Sequence, residues 1–393
     1  MKRTLMFENR ELLDFEVEPE EGKAHVSGAP EASDEELAAI GIDCSDLDAS
    51  VTSLVLSRKV SPNRADLDEI LGSFGANSAL ELALMGHGAS LTDHFWYRAP
   101  GSPARWEDVN FFDNDWDDTF CASILAGDYV GLSACSPDIP DVTTRGHLRK
   151  AWERRNAGIR LLKQARRDDG ADLTGSLLAS QLCALLFGRA AYQPLSAREV
   201  NGRRYSVSPL MLARDEELVQ GYRLYALCGM RREEADDFAH SSSLQSIADI
   251  FSRTGLEGHS AHVAKIAAFK NLSLLNDIHS GNYGVIRNVK TGERRFAAPF
   301  DYDRAFGFPN DECAYEEMCA NPKTAALFCA YSFSDFEPSW DWGWYDPRVL
   351  EGFEDRIVEA YAHLQNLPSN FGQLVARLFV IQRSYLNDVA SAG

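Results

Sequence analysis

The segment LLNDIHSGNYGVIRN, residues 274–288, places a carboxylate, Asp277, five positions before an amide, Asn282. The histidine, serine and glycine between them form neither a good helix nor a good strand, and an apolar run follows directly. The pattern therefore predicts an irregular turn that carries two oxygen-bearing side chains. Gly281 should permit this turn because glycine readily adopts a positive φ.

Two stretches elsewhere in the chain complete a pattern with this turn. Lys163 lies at the end of the strand-like stretch IRLLKQ, and Asp301 follows the apolar run in AAPFDYDRAF. Phosphoryl transfer from ATP needs an ammonium on the phosphates, a carboxylate for the attacking hydroxyl and oxygen ligands for magnesium. Lys163 is thus predicted to contact ATP, and Asp277 to orient the acceptor. Asn282 and Asp301 are the predicted Mg²⁺ ligands, with Asp303 in reserve for Asp301.

Each part of this pattern is weak alone. A D-x-x-x-x-N spacing arises by chance, turns rich in Asp, Asn and Gly are common structural caps, and a lysine ending a strand is usually solvated. The order of the parts along the chain favours nucleotide-dependent phosphoryl transfer over a purely structural role. His279, also in the catalytic turn, is expected to brace it by hydrogen bonds and not to act as the base.

Composition limits the classes of protein that this chain can be. The 393 residues are 45% hydrophobic and 25% charged, with a net charge of −20, and no apolar run is long enough for a membrane span. A negative field argues against direct nucleic-acid or membrane-surface binding. The first residues do not resemble a secretory signal, and eight cysteines without a C-x-x-C pair read as reduced thiols rather than zinc ligands. A cytoplasmic protein is expected.

Charge is unevenly distributed. Residues 1–50 hold fourteen acidic and four basic residues, whereas residues 147–167 hold eight Arg and Lys against one Glu. The basic stretch is either a solvated hairpin or a face that meets phosphates, and charge alone favours the first.

Local patterns predict a bilobal α+β protein. Alternating segments predict β-hairpins near residues 4–18, 147–164, 198–213 and 283–303, and amphipathic segments predict a helix at 172–188 and two helices in 348–390. The aromatic stretch 88–118 is expected to be an ordered loop. The predicted units are an N-terminal accessory region (1–142), a strand-rich N-lobe with the nucleotide-binding hairpin and lysine (143–225), and a helical C-lobe with the Asp277 turn and Asp301 (226–393).

Three motifs together resemble the HipA-like serine/threonine protein kinases. NDIHSGNYGVIRNVKTGERRFAAPFDYDRAF is similar to that family's D-R-H-x-x-N-x-G and A-P-I-F-D stretch, and TTRGHLRKAWERRNAGIRLLKQ to its T-D-G-x-L-x-K-x-W hairpin. GASLTDHFWYRAPGSPARWEDVNFFDND resembles the aromatic segment of one branch, W-x-x-x-N-F-F-D-N. The likeness covers most of residues 50–310.

The resemblance implies a kinase-like fold, ATP and Mg²⁺ as cofactors, and transfer of phosphate to a serine or threonine hydroxyl of a protein. It places Thr143, Thr144, Gly146 and His147 in the loop that covers the phosphates. Since some members are toxins held by DNA-binding antitoxins, an antitoxin-like regulatory partner is a further expectation.

Two positions depart from the family pattern. Ile278 stands where the family has arginine, and Ser176 stands where the helix after the lysine usually carries a glutamate; no Glu or Asp occurs from 173 to 188. A weakened kinase or a pseudokinase acting as an interaction protein through its acidic first fifty residues is therefore an alternative. Transfer of AMP would use the same residues.

A small-molecule phosphotransferase of the aminoglycoside or choline kinase type is another alternative. NDIHSGN and FDYDRA also resemble the paired motifs of those enzymes, and the aromatic stretches DHFWYR and SWDWGWYDP could bind a cation. The nineteen positions from Asn282 to Asp301 leave room for a longer hairpin than is usual in those enzymes.

Overall fold

The structure, a computed structural model, describes the chain except for residues 20, 117, 131, 133, 134, 157, 231–243, 276, 307–315, 318, 319, 322–335, 366 and 393. The described residues form three antiparallel sheets and a set of helices. The predicted α+β class is therefore confirmed.

The first sheet begins the chain. It consists of β1 (Lys2–Phe7), β2 (Arg10–Glu18), β3 (Lys23–Ser27) and β4 (Phe95–Arg98), in the order β3-β2-β1-β4. The predicted first hairpin is thus present, because apolar and acidic residues alternate along β2. The prediction of a loop throughout 88–118 is wrong, since β4 pairs with β1 across a long stretch of chain and local patterns do not report such pairing.

Short helices lie between and after these strands. They are α1 (Asp34–Ala39), α2 (Leu47–Ser57), α3 (Leu67–Phe74), α4 (Ala79–Met85), α5 (Trp106–Val109) and α6 (Asp118–Ala126). A capping box between Ser33 and Glu36 starts α1. Helix α2 packs against β3, where the Thr52 hydroxyl accepts from the N–H of Ala24 at 2.9 Å.

The second sheet carries the predicted nucleotide-binding hairpin. Its strands are β5 (Lys150–Arg155), β6 (Gly158–Gln164), β7 (Ser196–Val200) and β8 (Arg203–Pro209), in the order β5-β6-β8-β7, and α7 (Ala171–Phe187) lies between β6 and β7 in the chain. Positive φ at Asn201 (51°) and Gly202 (75°) makes the tight turn between β7 and β8. Both predicted hairpins of this region are confirmed.

The remaining elements are mainly helical. They are β9 (Glu216–Gln220), α8 (Gly221–Leu227), α9 (Leu244–Arg253), α10 (His259–Leu272), β10 (Gly284–Asn288), β11 (Arg294–Phe296), α11 (Phe353–Ala362) and α12 (Phe371–Ala392). The third sheet has the order β11-β10-β9, so the quoted segment leads into its central strand. None of the described helices is both long and apolar enough to cross a membrane.

Within the described part of the chain, three main cores organise these layers. The largest joins α7 with the helices and strands after residue 216, and another lies under the first sheet. The core between them packs Trp96 and Trp116 with Trp152, Leu162 and Tyr205 of the second sheet. Side chains on both sides of residue 142 thus share one core, and the aromatic stretch supports the strand that carries Lys163.

Buried ion pairs join the accessory region to the third sheet. Glu217 of β9 is paired with Arg287 of β10 and lies 3.9 Å from Arg223, whose guanidinium is 4.0 Å from Asp93. Asp93 is also 2.6 Å from Arg58 of the accessory region. Because a buried charge left without its partner is costly, this network resists separation of the two regions.

Five cysteines fall in the described residues and are free thiols: Cys44, Cys121, Cys135, Cys183 and Cys228. This agrees with the expected reduced state of these five. The remaining three, Cys313, Cys319 and Cys329, lie outside the described residues.

Candidate active site

The predicted lysine and the predicted metal-binding segment meet directly. The Nζ atom of Lys163 lies 3.1 Å from Oδ1 of Asp301 and 2.7 Å from Oδ2 of Asp303. Only 15% of the Lys163 side chain is exposed, against 32% for Asp301 and 24% for Asp303. The contact brings together residues more than a hundred positions apart and forms the centre of the site.

The electrostatics of this cluster separate the two carboxylates. Burial opposes ionisation of Asp301, but the charge of Lys163, together with that of Lys150, outweighs it and lowers the pKa of Asp301 to about 2. Burial and the charge of Asp301 raise the pKa of Asp303. Burial also opposes the charge of Lys163, but the two carboxylates outweigh it and raise the pKa of that ammonium. Asp301 is therefore the more strongly ionised of the two carboxylates.

The turn of residues 277–282 is held by its own hydrogen bonds. The backbone N–H of Asn282 donates to the carbonyl of His279 at 2.8 Å, and its side-chain amide donates to the carbonyl of Asp277 at 2.9 Å. The N–H of Gly281 donates to Nδ1 of His279 at 3.0 Å. Since the amide nitrogen of Asn282 is used within the turn, its Oδ1 atom is the one left to bind a cation.

The expected role of positive φ at Gly281 is wrong. Gly281 does not adopt a positive φ, whereas Leu274, at the start of the segment, has a φ of 56°. A Cβ atom on Gly281 would lie 2.8 Å from Cε1 of His279, so a side chain there would push the imidazole ring away. The left-handed backbone of a branched residue such as Leu274 is strained, which is common next to functional loops.

The predicted catalytic carboxylate lies beside the predicted metal ligands. Asp277, Asn282 and Asp301 line one small cavity of about 10 Å³, a space that admits about one water molecule. Oδ2 of Asp277 lies 3.5 Å from Nε of Arg304, which directly follows Asp303. The structure therefore brings the turn and the 301–304 segment to one place.

The two predicted loop threonines have partners inside the fold. Thr143 is buried at the end of a 3₁₀ helix, and its hydroxyl donates to the carbonyl of Ala89 at 2.7 Å. The hydroxyl of Thr144 donates to the carbonyl of Pro140 at 2.8 Å and accepts from the indole N–H of Trp152 at 2.9 Å. Both hydroxyls thus stabilise the start of the loop.

Gly146 and His147 lie in the turn that follows, where His147 is exposed. Gly146 has a φ of 109°, and a Cβ atom there would lie 2.2 Å from Nζ of Lys150. A side chain at Gly146 would therefore both strain the turn and displace the Lys150 amine.

The sequence analysis did not identify Lys150 as a residue of this site. This residue pairs with Lys163 in the β5–β6 register, is 5% exposed, and donates from Nζ to the carbonyl of Arg145 at 2.6 Å. Burial, with the charge of Lys163, lowers the pKa of Lys150 to about 7, although Asp301 and Asp303 oppose this. The predicted hairpin already places Lys150 directly opposite Lys163 on the neighbouring strand. This pairing was the signal from which its position in the site could have been predicted.

The aromatic stretch DHFWYR does not form the exposed cation-binding surface considered for a small-molecule enzyme. Phe95, Trp96 and Tyr97 are each 0% exposed. Trp342 is also buried, and the ring of Trp344 is covered by the ammonium of Lys265 at 5.2 Å from its centroid. These rings act as anchors of the cores.

The two departures from the family motifs have structural counterparts. Ile278 is 6% exposed and belongs to the largest core, so it is held by packing where an arginine would need polar partners. Ser176 of α7 donates from its hydroxyl to the carbonyls of Asp172 at 2.9 Å and Tyr302 at 3.1 Å. The serine thus binds the backbone between Asp301 and Asp303.

Comparisons with known proteins find similarity at the level of the fold. No family model matches the sequence, and no curated protein matches it. The structure is similar to the Helicobacter pylori proinflammatory kinase CtkA, with a TM-score of 0.46 and 13% identity, covering 61% of this chain and 92% of that chain. It is also similar to a structure of the Shewanella oneidensis MR-1 toxin–antitoxin system HipA, HipB and operator DNA. The TM-score is 0.49 and the identity 10%, and the match covers 98% of this chain and 97% of that chain. At these values the similarity concerns the fold, and no residue role is taken from it.

Proposed function

We propose that this protein is an ATP-dependent phosphotransferase that phosphorylates a serine or threonine hydroxyl of a protein. One observation carries the proposal: a buried ammonium, Lys163, lies within 3.1 Å of two carboxylates, and one of these, Asp301, shares a cavity with Asp277 and Asn282. A fixed cation, oxygen ligands and a separate carboxylate are the parts that phosphoryl transfer requires.

The residues divide into roles by their surroundings. Lys163 would bind the phosphates, because its ammonium is charged and fixed by ion pairs. Asp277 would orient the acceptor hydroxyl and receive its proton, since its side chain is 39% exposed and reachable. Arg304, beside Asp277, keeps that carboxylate turned toward the 301–304 segment.

The donor set fits magnesium. Carboxylate oxygens of Asp301 and the amide oxygen of Asn282 are the ligand types that Mg²⁺ prefers, and Mg²⁺ commonly takes one or two carboxylates together with substrate phosphates. The described residues contain no group of three or more His, Cys, Asp or Glu side chains that could hold a metal ion. A magnesium site completed by substrate phosphates does not need such a group. Bound there, Mg²⁺ would neutralise the charge of the transferred phosphate.

A groove beside the turn could receive the acceptor. The groove has a volume of about 640 Å³, and the turn contributes His279, Ser280 and Gly281 to it. Its other walls come from β3, α2, Arg145 and the start of α8, so it extends from the turn to the N-terminal sheet. A polypeptide segment bound in this groove would pass beside the turn that carries Asp277.

The test compares the intact mass of the wild type with that of Asp277→Ala after incubation with Mg²⁺ and ATP. We expect the wild type to gain phosphate and the variant to gain none, because the variant lacks the group that orients the hydroxyl. Asp355→Ala, at an exposed carboxylate in the first turn of α11, is the matched control and should behave as the wild type.

Other outcomes have defined meanings. A gain of AMP that depends on Asp277 would keep the site and change the reaction. No self-modification would direct the same comparison to ATP consumption with added protein or small-molecule acceptors. Absence of both Asp277-dependent ATP consumption and Mg²⁺-dependent ATP binding would refute the proposal.

From the sequence resemblance alone, we also propose a protein partner of the antitoxin type.

An interaction protein without catalysis makes a prediction about Asp277 that is opposite to that of the kinase proposal. In that case Asp277→Ala would leave the cellular phenotype unchanged. Neutralising exposed acidic residues among the first fifty, for example Asp34 and Glu35, would abolish it.

A further inference from the structure

The lysine of this site has no acidic partner on the helix that follows it. Protein kinases hold the corresponding lysine with a helix glutamate. In α7 the only acidic residue is Asp172, in the first turn, and its carboxylate accepts from the backbone N–H groups of Arg166 and Arg167. The helix therefore offers no carboxylate to Lys163.

Close packing of α7 explains why no glutamate is present. A Cβ atom on Gly175 would lie 2.2 Å from the carbonyl oxygen of Ala305, so the helix touches the backbone of the 301–306 segment directly. The next residue, Ser176, is 5% exposed and bonded to the carbonyl of Tyr302. A longer side chain at Ser176 would have to displace Tyr302, and close-packed interiors tolerate such insertion poorly.

The segment that α7 contacts supplies the partner instead. Asp303 lies closer to Nζ of Lys163 than Asp301 does, at 2.7 Å against 3.1 Å. Tyr302, between them, is held by Ser176 on its carbonyl and by a hydroxyl that donates to the carbonyl of Pro299 at 2.7 Å. Both carboxylates are thus set by one anchored stretch of backbone.

We propose that Asp303 is the positioning residue for Lys163, taking the place of the absent helix carboxylate. The inference rests on the proposed function, in which Asp301 is engaged by Mg²⁺. When Asp301 is so engaged, Asp303 remains to hold the ammonium against the phosphates. Asp303 then acts through Lys163 and is not a metal ligand.

A double-mutant cycle tests this assignment. The variants are Asp303→Asn, Lys163→Met and the two combined, with Asp301→Asn as the comparison for loss of a metal ligand. For each we would measure the KM for ATP, kcat and the Mg²⁺ concentration at half-maximal rate. Asp303→Asn keeps the size of the side chain, and its melting temperature would confirm folding.

We expect Asp303→Asn to lower kcat/KM for ATP on the order of tenfold, the usual size of a direct coupling. The double variant should lose no more than Lys163→Met alone, because the effect of Asp303 passes through the lysine. Half-saturation by Mg²⁺ should be unchanged in Asp303→Asn and clearly raised in Asp301→Asn. Asp303→Glu should recover part of the loss, and would replace Asp303→Asn if that variant did not fold.

Two results would overturn the inference. Independent, multiplicative losses in the double variant would show that Asp303 does not act through Lys163. A raised Mg²⁺ requirement in Asp303→Asn, similar to that of Asp301→Asn, would make Asp303 a metal ligand. If the wild type transferred no phosphate, the same cycle on ATP dissociation constants would test the coupling without chemistry, and absence of ATP binding would refute both proposals.

Discussion

Replacing Gly175 with alanine should destabilise the fold and displace the segment that carries Asp301 and Asp303. The added Cβ atom would lie 2.2 Å from the carbonyl oxygen of Ala305 and 3.0 Å from that of Phe306. Ordinary carbon–oxygen contacts begin at about 3.3 Å, so α7 or the segment must move by roughly 1 Å. Both obstacles are backbone atoms, which no rotamer change can relieve.

The segment cannot shift freely, because it is anchored at its far end. The N–H of Phe306 donates to the carbonyl of Ser273 at 2.7 Å, and its carbonyl accepts from the hydroxyl of Tyr361. Overpacking of this kind costs about 1–3 kcal/mol. Alanine gains about 1 kcal/mol over glycine within a helix, which offsets part of the cost. Because both obstacles are backbone atoms, the upper part of the overpacking range, about 2–3 kcal/mol, applies here. A net loss of about 1–2 kcal/mol in the free energy of unfolding follows.

Urea unfolding of Gly175→Ala and Gly72→Ala would measure this difference. Gly72 also lies within a helix, α3, and a Cβ atom there would meet nothing within 4 Å, so Gly72→Ala should be more stable than the wild type by about 0.5–1 kcal/mol. The rate of ATP-dependent phosphate transfer would be measured on the same samples. Since a misplacement of 1 Å can cost about 100-fold, we expect at least a tenfold loss for Gly175→Ala alone.

The reasoning fails if Gly175→Ala is as stable as the wild type or more stable. Such a result would mean that α7 and residues 305–306 separate at little cost. Stability reduced as expected, with an unchanged transfer rate, would instead show that the position of Asp301 and Asp303 does not depend on this contact.

Two further predictions concern titrating groups whose pKa is lowered by loss of solvent: Lys150 of β5 and His262 of α10. The pKa of Lys150 is lowered to about 7 from 10.5, so the unfolded chain binds more protons between these values, and rising pH stabilises the wild type there. Urea unfolding near pH 7 and pH 10 should therefore show the wild type gaining stability relative to Lys150→Met. If the free energy of unfolding changed equally with pH in both proteins, the burial of this amine would be contradicted. Burial lowers the pKa of His262 to about 3 from 6.5, so stability should fall as the pH drops through this interval. His262→Gln should lose less stability in acid than the wild type does, as unfolding at pH 7 and pH 4 would report, and an identical loss would refute the assignment.

Local sequence patterns were sufficient for the parts of this protein whose contacts are close in the chain. The hairpins around Asn201-Gly202 and residues 289–293 are set by turn chemistry, and their strands by alternation. The turn from Asp277 to Asn282 is also local, because its hydrogen bonds join residues within five positions. For the same reason the α+β class and the order of the site residues could be read without coordinates.

The partners of those residues required the tertiary structure. Lys163 and Asp301 are 138 positions apart, and which carboxylate binds the ammonium depends on how closely α7 packs against the 301–306 segment. The pairing of β4 with β1 and the burial of Lys150 have the same origin. Sequence by itself determined which chemical groups this protein carries and on which local elements. Packing decided which of them meet, because contacts between distant segments depend on shape and burial that no local pattern contains.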